Sequence, residues 1–204
     1  GLAAGLGALA GVSAMAAIYL PVGLGLPVLF LPALAGLAKL TEGRRVFITY
    51  AMLIMLAGFG LMGVRDDFGL LWMLWLVAVV VVTDVAGYFA GRLIGGPKFW
   101  PRVSPKKTWS GTVAGWVGAA VVAFVFMMQT GADASLIGMS VSVAMASQLG
   151  DIAESAIKRR SDVKDSSALI PGHGGVLDRF DGMLGASAFL LVAGPIVGFP
   201  PVGM

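Results

Sequence analysis

The chain has no cysteine, so it can form neither a disulfide nor a thiolate metal site. It has one histidine, and charged residues make up only 12% of its 204 positions. A water-soluble fold of this size needs more charge to cover itself, so a soluble globular domain is excluded. A P-loop is missing too: the nearest approach, Gly91 to Lys98, has Pro97 where the pattern needs lysine. There is no inverted repeat of the kind found in secondary transporters. Nor is there the alternating pattern of a membrane barrel. The first apolar run lacks a charged leader and a cleavage site, so it does not read as a signal peptide. The chain opens on Gly1 rather than Met, as expected of a start that is processed or cut.

What is present is apolar. Hydrophobic residues make up 58% of the chain and glycine supplies 30 positions; the mean hydropathy is +0.91. This composition predicts an all-α, polytopic integral membrane bundle. A spanning helix needs about 20 mostly apolar residues. About seven candidate spans satisfy that, near 2–20, 24–40, 46–64, 68–94, 109–129, 135–157 and 182–202. Pro21, Pro27 and Pro32 interrupt the first two. Glycines at 87, 91 and 95 are spaced for close helix packing.

The few cations are unevenly placed. Lys39, Arg44 and Arg45 share one loop; Arg92, Lys98, Arg102, Lys106 and Lys107 share a second; Lys158, Arg159, Arg160, Lys164 and Arg179 share a third. If every span crosses once, these loops lie on one side and hold 13 of the 14 Lys and Arg, leaving Arg65 opposite. The positive-inside rule makes that side cytosolic. The pI near 9.5 is therefore a topological signal, and no nucleic-acid partner is expected.

Two acids interrupt apolar runs. Asp84 lies 16 residues after Phe68, and Asp151 lies 16 residues after Ser135. At ~1.5 Å per residue both are ~24 Å deep in hydrocarbon ~30 Å thick, level with each other below the cytosolic face. An ionised group there costs up to ~3 kcal/mol unless it finds a partner, a metal or water. Asp84 has Arg92 or a nearby lysine as a candidate partner. Ser147, Asp151, Glu154 or Ser155, and Lys158 share one helical face, which a plain interhelical polar stripe would also explain.

The third loop concentrates chemistry. Ser155 to Gly182 holds five cations, the lone His173 and four acids in a glycine-rich setting. Asp178 and Asp181 stand at i and i+3, so one helical turn points both carboxylates the same way. With Asp151 they form a hard-oxygen set suited to Mg²⁺. Gly172, Gly174 and Gly175 flank His173 and leave backbone N–H groups open to an anion. Lys158, Arg159, Lys164 and Arg179 are donors for phosphate. In the second loop, Ser104, Lys107 and Thr108 precede a helix that Thr108 or Ser110 can cap, an anion-favouring N-terminus. Carboxylates, a divalent ion, lysines and a glycine loop are what phosphoryl or nucleotidyl transfer asks for. Topological anchoring explains the lysines alone, and an ion path through Asp84 and Asp151 is the transporter alternative.

The blocks resemble the phosphatidate cytidylyltransferases, also called CDP-diacylglycerol synthases. The resemblance rests on Ser155, Lys158-Arg159, Lys164-Asp165, Pro171 to Gly175, and Asp178-Arg179 followed by Asp181. Upstream, "TDVAGYFAGRLIGG" (83–96), "SPKKTWSG" (104–111) and "SQLGDIAESAIKR" (147–159) are similar to family blocks in the same order. It covers roughly Ala57 onward; Ser110 stands where the family usually has Glu, and the family usually carries more N-terminal sequence. The resemblance implies a single membrane domain over 1–204, with N-terminal helices to 64 and a catalytic part over 65–204 whose cytosolic loops are 92–108 and 158–181. It implies that CTP and phosphatidic acid give CDP-diacylglycerol and pyrophosphate, with Mg²⁺, the number of metal ions left open. It implies a fold that is often a homodimer, expected in a bacterial inner membrane. The catalytic residues expected are Asp151, Asp178, Asp181, Lys164 and His173, with metal on the three acids. Substrate contacts are expected from Ser104, Lys107, Thr108, Lys158, Arg159, Gly174, Gly175 and Arg179. A CTP-dependent kinase or cytidylyltransferase for another membrane lipid is the near alternative.

Overall fold

In lipid a backbone must satisfy its own hydrogen bonds, so long apolar runs become helices. The computed structural model describes residues 1–101, 103–161, 163, 165–167, 175 and 177–201. The helices are α1 (Leu2–Tyr19), α2 (Val22–Leu29), α3 (Leu31–Lys39), α4 (Arg44–Phe68), α5 (Leu70–Leu93), α6 (Trp109–Thr130), α7 (Ser135–Arg160) and α8 (Leu177–Val197). Between α5 and α6 lie two short antiparallel strands, β1 (Lys98–Trp100) and β2 (Ser104–Thr108), with Lys98 opposite Thr108 and Trp100 opposite Ser104.

Among the described residues six helices, α1 and α4 to α8, are long and apolar enough to cross a membrane. The protein is thus an all-α polytopic membrane bundle. The seventh expected run, at 24–40, forms a shorter apolar helical stretch over Gly23–Lys39 that breaks in two. Pro27 lies inside α2, the helix stops at Phe30, and Pro32 sits at the start of α3. At ~1.5 Å per residue neither piece exceeds about half the hydrocarbon thickness. The last span also begins earlier than expected, at Leu177, which places Asp178 and Asp181 on α8.

Outward side chains are apolar, as a lipid-facing girdle requires: Val81 is 51% exposed, Phe124 58% and Val192 66%. Inside, Trp75, Leu76, Val79, Leu136 and Val143 are fully buried. Since lipid tails are as apolar as leucine, association relies on close packing and interhelical hydrogen bonds. Small residues let backbones touch. A Cβ on Gly111 of α6 would lie 2.5 Å from the Gly87 carbonyl of α5, and one on Gly150 of α7 would lie 2.9 Å from the Gly185 Cα of α8. Gly87 and Gly91 do face α6, whereas Gly95 lies past the end of α5 with φ 67° and turns the chain toward β1. Trp75 Nε1 donates to Ser140 Oγ at 2.9 Å, tying α5 to α7. Phe68, Trp72, Trp75 and Phe199 stack edge-on or tilted at the end of the bundle away from the charged loops.

The starts of α4 and α8 and the ends of α5 and α7 lie at the other end. The broken second span does not disturb this: α4 enters at Arg44, α5 leaves at Leu93, and α7 leaves at Arg160.

Candidate active site

The short hairpin folds its last residues back onto the bundle. Thr108 ends β2 and caps α6, its Oγ1 accepting from Gly111 N at 3.2 Å. Ser110 does not cap: its hydroxyl donates to the Gly95 carbonyl and lies 3.0 Å from Thr108 Oγ1. Lys107 is thereby aimed inward. Its Nζ pairs with Asp151 Oδ2 at 2.5 Å and donates to the Gln148 carbonyl at 3.4 Å, both on α7. Gln148 is fixed in turn, accepting from Trp116 Nε1 at 3.1 Å and donating to the Thr112 carbonyl at 3.3 Å.

These groups line a cavity of ≈ 420 Å³ between α5, α6, α7 and the hairpin. Asp84, Tyr88 and Arg92 wall it from α5, Lys106, Lys107 and Thr108 from the hairpin end, and Gln148 and Asp151 from α7. Asp84 lies nine residues before the end of α5, and Asp151 nine before the end of α7. The expected common depth is observed. Asp84 does not pair with Arg92, which donates to Tyr88 Oη at 2.8 Å. Among the described residues Asp84 makes no direct hydrogen bond or ion pair; it feels the charges of Lys107 and Asp151.

A second cluster lies where α7 ends and α8 begins. Lys158 Nζ bridges two acids, Glu154 Oε2 at 2.8 Å and Asp178 Oδ1 at 2.7 Å. Glu154 is 1% exposed, and its other oxygen accepts from Tyr50 Oη of α4 at 3.1 Å. Asp178 Oδ2 accepts from Ser166 N and Oγ, each at 2.9 Å, and from Gly175 N at 2.7 Å. The carboxylate holds together two points of the loop nine residues apart. Asp181, one turn on, accepts from Gly182 N at 2.7 Å and feels the charges of Asp151, Glu154 and Asp84.

The expected site residues are only partly gathered. Lys107, Thr108 and Asp151 share the cavity, while Lys158, Gly175 and Asp178 share the second cluster. Ser104 lies in β2 opposite Trp100, away from both. Arg159 and Arg179 are exposed on the last turn of α7 and the first turn of α8. Lys164, His173 and Gly174 lie outside the described residues. Among the described residues no three acids or histidines converge tightly enough to hold a metal ion. Asp151 faces Lys107, and Asp178 is committed to Lys158 and the loop. Even so, Asp84, Asp151 and Asp181 sit in one another's field, and Lys107 is the single lysine paired among them. Carboxylate oxygen is the donor type that a hard divalent cation such as Mg²⁺ takes.

Sequence reasoning missed Tyr50 and Gln148. Gln148, a polar residue three positions before Asp151 in an apolar helix, carried a signal of its own; Tyr50 carried none.

Six apolar spans with a charged cavity at one end define a polytopic membrane protein. The chain belongs to the cytidylyltransferase family, whose profile matches residues 5–196. It is 45% identical over 141 residues to the phosphatidate cytidylyltransferase of Brucella suis, covering 67% of this chain and 52% of that one. Against the enzyme of that name from Haemophilus influenzae the identity is 44% over 128 residues, covering 59% and 44%. For Bacillus subtilis it is 41% over 128 residues, covering 61% and 48%. The chain spans about half the length of the curated relatives it matches.

Proposed function

We propose that this chain carries the active site of a phosphatidate cytidylyltransferase, which makes CDP-diacylglycerol and pyrophosphate from CTP and phosphatidic acid. The observation that carries the reading is the cavity held by the Lys107–Asp151 pair, nine residues in from the ends of α5 and α7. A lipid phosphate reaches that depth while its acyl chains stay in the bilayer. A nucleotide enters from the side that holds 13 of the 14 cations. By the charge rule that side is the cytosol, and the bacterial relatives favour an inner membrane.

In the reaction an oxygen of the lipid phosphate attacks the α-phosphorus of CTP. One P–O bond forms, the bond from the α-phosphorus to the oxygen bridging to the β-phosphorus breaks, and pyrophosphate leaves with that electron pair. Lys107, oriented by Asp151 and Gln148, offsets charge on the approaching phosphates. Lys158, Arg159 and Arg179 act at the loop, with Lys164 in the same block. The N–H groups at the start of α6 favour an anion beside Thr108. Mg²⁺, when bound, would offset charge on the triphosphate and on the leaving pyrophosphate. Asp151 and Asp181 are the ligands proposed on the cavity side, and Asp178 joins them by giving up one of its present donors.

The test is product identity. The chain in detergent with CTP, phosphatidic acid and Mg²⁺ should release CDP-diacylglycerol and pyrophosphate in equal amounts. CDP with a newly phosphorylated lipid would instead indicate a kinase. No turnover, with ion flux in vesicles, would indicate a transporter.

A further inference from the structure

Helix α4 lies upstream of the catalytic blocks, yet it reaches into them. Tyr50 stands six residues after the start of α4, and Glu154 six residues before the end of α7, so the two meet at one depth. Tyr50 Oη donates to Glu154 Oε1 at 3.1 Å. Glu154 is 1% exposed, so each of its oxygens needs a donor from the protein. Tyr50 supplies one and Lys158 the other. Lys158 must also serve Asp178, at 2.7 Å. One cation is thus shared by two carboxylates, and the tyrosine hydroxyl makes the sharing workable. Without it, Glu154 Oε1 has no donor, and Glu154 draws Lys158 away from Asp178. Asp178 is the group that ties Ser166 to Gly175.

We propose that Tyr50 is a positioning residue for the nucleotide. It acts through Glu154 and Lys158 to hold Asp178, and with it Ser166 and Gly175. The inference rests on the cytidylyltransferase reading, because it assigns Lys158 and Gly175 to the nucleotide. Tyr50 does not itself touch either substrate. Its effect should therefore fall on ground-state nucleotide binding, which moves KM and leaves kcat nearly fixed.

The test is Tyr50→Phe, which removes one oxygen and keeps the ring. KM for CTP should rise about tenfold, while kcat and KM for phosphatidic acid stay within about threefold. Trypsin should cut the 161–176 segment of the variant faster than that of the unmodified chain. Thr49→Val, which removes a hydroxyl bonded only within α4, should change none of these. On a Glu154→Met background, Tyr50→Phe should add no further rise in KM, because the acceptor of its hydroxyl is already gone. An unchanged KM for CTP, with or without a loss of thermal stability, would overturn the proposal, as would an additive effect on the Glu154→Met background. If the unmodified chain fails to use CTP, the enzymatic reading fails instead. Trypsin then decides the structural part alone: faster cutting sustains the Tyr50 linkage, and equal cutting refutes it.

Discussion

Consider neutralising the Lys107–Asp151 pair, first one side at a time and then both. Two unit charges 2.5 Å apart attract by about 7 kcal/mol at an effective dielectric of about 20. Desolvation cancels much of this, and breaking one side of a buried pair typically costs ~3–5 kcal/mol. Here Lys107 is 23% exposed and Asp151 29%, so the surviving charge is partly solvated and a discount to ~1–3 kcal/mol is appropriate. Lys107→Met and Asp151→Asn should each lower thermal stability in detergent by that amount. The double variant leaves no orphan charge and should recover to within about 1 kcal/mol of the unmodified protein. Activity should behave differently. If Lys107 offsets phosphate charge and Asp151 holds Lys107 and a cation, each single variant should lose at least ~100-fold in pyrophosphate release, comparable to removing one preorganised electrostatic contact. The double variant should be no better. Stability restored without turnover marks a functional pair; a double variant within about threefold of normal turnover would show that the pair only braces the hairpin against α7.

Three further outcomes follow. Since the chain has no cysteine, single cysteines at Ser104 and Ser161 should be labelled from the cytosolic side of intact cells, and one at Ala134 from the opposite side; any other pattern overturns the assigned orientation. Lys158→Ala removes the cation shared by Glu154 and Asp178 and should cut turnover at least tenfold, whereas Arg44→Ala, on an exposed residue that among the described residues bonds to the Leu40 carbonyl alone, should stay within twofold. Equal losses would mean that these cations only set topology. Gly150→Ala puts a Cβ 2.6 Å from the Asp181 carbonyl, so α8 must shift; overpacking of this kind costs ~1–3 kcal/mol, and turnover should fall with thermal stability, a result excluded if the variant melts and turns over as the unmodified protein does.

The spans from α4 onward were legible because lipid demands about 20 apolar residues per crossing, and composition alone reports that. The depth of Asp84 and Asp151 was legible because helix rise is constant. The hairpin was not: 98–108 is short, charged and interrupted by Pro101 and Pro105, and the pairing of Lys98 with Thr108 depends on α5 and α6 standing side by side. The break at 24–40 turns on Pro27 and Pro32 together; one proline alone can be absorbed as a kink.

Partner choice was the least legible feature. The sequence pattern groups Asp178 and Asp181 as neighbours on one face, yet one turn of helix sends them to different surroundings. Asp178 pairs with Lys158 and the loop, while Asp181 accepts from Gly182 N and lies in the field of Asp151, Glu154 and Asp84. Nothing local to α8 sets this; it follows from α7 and α8 packing closely through Gly150 and Gly185, which brings the end of one helix against the start of the other. Tyr50 is the extreme case, since its partner lies 104 residues away and the segment around it reads only as apolar. A buried acid was the available clue. Glu154 sits on the same stripe as Asp151 and Lys158, and a carboxylate that deep with a single lysine in reach leaves one oxygen to be satisfied. Asking where that second donor comes from leads out of the catalytic blocks and into α4. Helix α4, generic in sequence, thus reaches Glu154 through a hydrogen bond rather than through a motif.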